Sequence, residues 1–151
     1  MRRWNRWAGD DAGSAALEFI VVGVILLVPL VYLVLALGTV QEQTLGAEAA
    51  ARHTARAMGQ APDAASAAVR GDAIIAEVVD EYGIDPDAVQ VAVACTPASA
   101  TCPAPGVTVI VTVTTRVSLP FMPPILGLDQ VASIPIEASA AQKISRVWGG
   151  G

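Results

Sequence analysis

Few side chains in this 151-residue chain have the types and spacing that chemistry needs. Its one histidine, His53, lies in an Ala-rich stretch with no HExxH around it, so no His-rich metal site can form. A Ser-His-Asp triad would have to recruit that same residue. There is no Walker loop, no GxGxxG after a strand and no GxSxG elbow. Cys95 and Cys102 are spaced too widely for a CxxC redox site, and two cysteines alone do not make a zinc site. Asp72, Glu77, Asp80 and Glu81 lack the spacing of a calcium loop and read as a solvated helix face. One carboxylate stands apart. Glu18 directly precedes a long apolar run, where an unpaired charge is costly. The expectation is a non-enzymatic protein with no cofactor and no metal.

The elements that would position these residues follow from composition. The chain is 54% apolar, only 15% charged and 5% aromatic, with a net charge of −5. Soluble domains average about 25% charged residues. The 22 residues from Phe19 to Val40 carry no charge. As a helix they extend roughly 33 Å, enough for a bilayer core of about 30 Å. Pro29 removes one backbone bond inside that helix, which neighbouring groups in a membrane can offset. Nine Lys and Arg, three of them in the first six residues, leave no basic face for nucleic acid.

A secretory signal has an apolar core of about 7–15 residues with small residues after it. Here the core is longer, and the small residues come first. Gly13, then Ser14-Ala15-Ala16-Leu17-Glu18-Phe19, then the apolar helix, resembles the class III signal of type IV-like pilins. The segment is most similar to that of the TadE-like minor pilins of tight-adherence pili. The resemblance covers these seven residues and the helix; beyond residue 45 it is one of layout only. Asp10 and Asp11 depart from it by placing two acids beside the cut site.

The resemblance implies that a membrane-embedded prepilin peptidase cuts after Gly13 on the cytoplasmic side. Ser14 becomes the new N-terminus and Glu18 the fifth mature residue, followed by Phe19. The implied partners are that peptidase, membrane lipid, other pilin subunits and the pilus assembly platform. Independently, Ser14 and Glu18 are one helical turn apart on one face, so the freed amine or a neighbour's amine can reach the carboxylate. The plainer reading leaves Glu18 at the membrane edge, satisfied by water.

Arg2, Arg3 and Arg6, with no arginine between Gly13 and Gln43, place the N-terminus in the cytoplasm and the rest outside. The sequence predicts one helix from Ser14 to Met58, about 65 Å long at 1.5 Å per residue. Ala47, Ala50, Ala51, Thr54 and Met58 form a small-residue stripe on it, available to its own domain or to other helices in a fibre. A break at Gly59–Asp63 precedes a second helix from Ala64 to about Tyr82, capped by Asp63 and ended by Gly83. Its apolar face is expected at Ala68, Ile75, Val78, Val79 and Tyr82.

Three alternating strands are predicted at Ala88–Cys95, Val107–Leu119 and Val131 to about Lys143. Val89, Val91, Val93 and Cys95 face inward in the first strand, and Val107, Val109, Val111, Val113, Val117 and Leu119 in the second. Ile134, Ile136, Ala138 and Ala140 do so in the third, where Pro135 argues for an edge strand or a bulge. The fold class is α+β: a transmembrane helix continuing outward, then a helix packed on a three- or four-stranded antiparallel sheet.

Outside the membrane, Cys95 and Cys102 are expected to form a disulfide that closes the first hairpin. The apolar connection Leu119–Leu128, with Phe121, Met122, Ile125 and Leu126, either supplies core or forms a contact patch for a neighbour or the outer leaflet. The resulting division is residues 1–13 leader, 14–42 span, 43–62 outer helix and break, 63–147 outer domain, and 148–151 tail. The function expected is a TadE-like pilus-assembly subunit. The alternative is a permanently anchored extracytoplasmic binding module with an uncut N-terminus.

Overall fold

The computed structural model describes residues 11–98, 101–120 and 133–149. Helix α1 runs Asp11–Gly59 and continues through Pro29; α2 runs Ala64–Glu81. A single 3-10 turn, Pro86–Ala88, leads into β1 (Gln90–Thr96), β2 (Thr108–Ser118) and β3 (Ser133–Lys143). The sheet is antiparallel in the order β1-β2-β3, so the fold is α+β as expected. The chain divides into two compact units, Met1–Leu37 and Gly38–Gly151.

In the first unit α1 is apolar on every side. Leu17, Phe19, Ile25, Leu26 and Leu33 are all exposed, Phe19 by 80%. A helix without a polar face is either a core helix or a membrane span, and nothing among the described residues covers these side chains. The helix is long and apolar enough to cross a membrane, with a mean hydropathy of 3.1 in its best window.

The second unit is built on different residues. There α1 presents Ala47, Ala50, Ala51, Ala55 and Met58 to the core, joined by Ala67 and Val78 of α2 and Val109, Val111 and Val113 of β2. The small-residue stripe therefore packs within its own domain. Small side chains let backbones approach closely: a Cβ placed on Gly46 would meet Tyr82 Cγ at 2.8 Å.

Asp63 starts α2 from an extended backbone, its carboxylate accepting from the Ser66 N–H at 2.7 Å and from the Ser66 hydroxyl at 3.2 Å. Gly83, at φ +58°, ends it in the left-handed conformation that spares a Cβ, and the Ile84 N–H reaches back to the Val79 carbonyl at 2.9 Å.

Strand β2 is central and alternates strictly, Val109, Val111, Val113, Thr115 and Val117 being buried. β1 pairs with it through Val91↔Val113 and Val93↔Val111, and β3 through Ala138↔Val113 and Ile136↔Thr115. Pro135 lies opposite Arg116 in an edge strand, where its missing N–H costs no ladder bond on the outer side. On the opposite face Thr112 and Ser139 share a hydrogen bond at 3.1 Å.

Several expectations need correction. Ala67, not Ala68, is buried near the start of α2, while Ile75, Val78 and Tyr82 meet the core as expected. Val91, Val93 and Ile134 lie on the expected side of the sheet but stay 42%, 41% and 39% exposed. The helices cover the centre of the sheet and leave both edges partly open. β1 and β2 begin and end one to two residues away from the expected limits, β3 ends at Lys143 as expected, and its expected start at Val131 lies outside the described residues. Trp148 packs against the core rather than belonging to a free tail.

Candidate functional site

Gly13 and Ser14 lie in the first turn of α1, which begins at Asp11. Glu18 follows Ser14 by one turn, and both Glu18 and Phe19 are exposed. Glu18 is the only charged residue between Asp11 and Glu42. Lying two turns inside α1, Glu18 is beyond the unpaired N–H groups of the helix start. At the bilayer centre it would cost about 2.5–3.5 kcal/mol, and less toward the edge. The structure thus presents one carboxylate at the head of an apolar sleeve, free to meet a cation.

His53 is exposed on α1 beside Arg56, Ala57, Gln60 and Ile74, with no carboxylate or hydroxyl aligned to it. Among the described residues no group of three or more His, Cys, Asp or Glu side chains comes together. Asp72, Glu77, Asp80 and Glu81 are exposed along α2. An open cavity of about 520 Å³ is lined by Thr39, Gln43, Asp85, Arg116, Ser118 and Ser133.

Cys95 and Cys102 are joined in a disulfide with a Cα–Cα distance of 5.8 Å. It ties the end of β1 to the connection before β2, and no free cysteine remains. Among exposed carboxylates Asp63 is held below its ordinary value, first by the Ser66 backbone N–H and then by the Ser66 hydroxyl. Arg52 and Glu48 pair at 3.3 Å across one turn of α1, both exposed. Phe121, Met122, Ile125 and Leu126, the expected contact loop, lie outside the described residues.

Three buried polar atoms escaped the sequence analysis. Thr54 Oγ1, Thr115 Oγ1 and Trp148 Nε1 have no hydrogen-bond partner among the described residues. Thr115 occupies the inward position that the alternation of β2 assigns to it, and that alternation was the signal available. Comparison of the chain with family models, curated proteins and solved structures finds no match.

Proposed function

We propose that this chain is a non-enzymatic, TadE-like minor pilin or pseudopilin subunit, cut after Gly13 by a prepilin peptidase and used to assemble a tight-adherence, type IV-like pilus. One observation carries the reading. Glu18, the lone charge between Asp11 and Glu42, stands five residues after Gly13 at the head of an exposed apolar sleeve. Burying that carboxylate in a packed bundle of such helices requires a cation, and the amine released at Ser14 or on a neighbour is the cation that the cut creates. The basic leader keeps the cut site cytoplasmic and the α+β domain outside.

Co-expression with a prepilin peptidase followed by N-terminal sequencing tests the reading. The mature chain should begin at Ser14, and a bulky residue in place of Gly13 should leave it uncut. A chain that stays full length beside an active peptidase overturns the pilin reading and leaves the permanently anchored module. Glu18→Val should keep membrane insertion and lose incorporation with other subunits; normal incorporation would reduce the charge to an interfacial role.

A further inference from the structure

The two edges of the sheet are unequal. β3 carries Pro135, Glu137 and Lys143, which make two β3 edges poor partners for each other, whereas β1, Gln-Val-Ala-Val-Ala-Cys-Thr, has neither charge nor proline and is the receptive edge. Beside β1 the helix α2 overhangs an apolar groove of about 210 Å³, lined by Met58, Ala68, Gly71, Ile75, Val91 and Val93, with Asp72 at its wall. On the same side of the sheet, the opposite edge leaves Ile134 exposed.

The direction of the chain limits what can fill that groove. The outer half of α1 runs alongside β3 in the same sense: Thr39 and Gln43 share a cavity with Ser133, Glu48 and Arg52 share one with Glu137 and Ser139, and Gly59 backs onto Gln142. Pairing β1 with β1, or β3 with β3, of a second copy is antiparallel and reverses the whole domain. The Gly38 ends of the two copies would then point opposite ways, though both must return to one membrane. β1 and β3 are both antiparallel to β2 and hence parallel to each other. Joining β1 of one copy to β3 of the next keeps every Gly38 end on one side.

Charge favours the same arrangement. The α2 flank exposes Asp72, Glu77, Asp80 and Glu81 with Arg70 as its only cation, so two such flanks repel. The β3 flank balances Glu48 and Glu137 with Arg52, Lys143 and Arg146. We infer that the β1 edge and the groove under α2 receive the β3 edge of a second copy of this chain, in parallel, extending the sheet from subunit to subunit. The pairing is head-to-tail, so it propagates into a ring or a helical array instead of closing as a dimer. It rests on the membrane-anchored part of the proposed function and not on the leader cut.

The native chain has no free thiol, so thiol crosslinking on the open sheet face reads the pairing directly. Full-length chains carrying Ala92→Cys or Ala94→Cys are mixed in phosphatidylcholine–phosphatidylglycerol vesicles with chains carrying Glu137→Cys, Ser139→Cys or Ala141→Cys, and treated with a short bismaleimide. Crosslinks between the two kinds of chain should exceed those within either kind several-fold, and the best pair reads the axial stagger. Val93→Lys, at a position already 41% exposed, should abolish them while the circular dichroism melt stays native. Like-with-like crosslinks in equal yield, no crosslinks, or mixed crosslinks that survive Val93→Lys overturn the inference. A chain that is cut after Gly13 and enters pili without the mixed crosslink overturns this docking and leaves the pilin reading standing. The mixed crosslink in an uncut chain supports the docking alone.

Discussion

Helix α1 is one element built from two kinds of apolar residue. Up to Leu37 it is made largely of Leu, Ile and Val, nearly all exposed; from Gly38 on it turns Ala47, Ala50, Ala51 and Ala55 inward, each at most 2% exposed. The first stretch gains by transferring large apolar surface into lipid, about 25 cal/mol per Å². The second contributes little area and instead lets α2 and the sheet come close, so that the valines of β2 are fully covered. Hydropathy governs one stretch and residue volume the other.

The comparison breaks most visibly with charge in the sleeve. Leu26→Arg should raise the cost of membrane insertion by about 2.5–3.5 kcal/mol, read by the fraction of chain inserted. It should leave the unfolding midpoint of the outer domain unchanged, and a shifted midpoint would show that the two stretches are not independent. Ala51→Leu should do the reverse. Insertion stays normal, while overpacking at a fully buried site lowers domain stability by about 1–3 kcal/mol, measured by denaturant melting of the full chain in detergent micelles.

Smaller effects sharpen the picture of the outer domain. Thr115 is fully buried with an unpartnered hydroxyl. Thr115→Val keeps its shape and removes the orphan, so the same melt should show a gain of about 1 kcal/mol; a loss would mean that the hydroxyl has a partner. The smallest effect is that of Asp63. Its carboxyl is held below its ordinary value by the Ser66 N–H and hydroxyl. The stability it adds is present above its unfolded pKa, about 4, and is lost as pH falls through the lowered folded value. Asp63→Asn keeps a capping side chain and should flatten that acid-side loss in a pH series of melts.

Much of this was readable in advance where a residue's local chemistry decides the outcome. The uncharged run defines the sleeve, Asp63 the start of α2, Gly83 its end, and the spacing of Cys95 and Cys102 their bridge. Outcomes set by neighbours far along the chain were less readable. The periodicity of β1 gives the side of Val91 and Val93, but their exposure depends on where α2 stops covering the sheet. In the first turns of α2 both Ala67 and Ala68 could face inward, and only the packing partner chooses. Alternation puts Thr115 on the inward side of β2, but a threonine suits either face of a strand, so its residue type alone does not announce the burial. Of the candidate site, Glu18 and Gly13 stand out because the surrounding sequence is so plain, whereas the apolar residues after Leu119 offer no periodicity to assign.

The alanines of the outer stretch have an entropic consequence. An alanine side chain has no rotamers to lose, so closing the seam between α1 and α2 costs backbone freedom only. The leucines and valines of the sleeve keep their alternatives in a fluid surround. Along one continuous helix, methyl groups up to Leu37 should therefore tumble through several states on the nanosecond scale, while the methyls of Ala47 and Ala51 report a rigid axis. The change falls where bulky residues give way to small ones, with no break in the backbone to mark it.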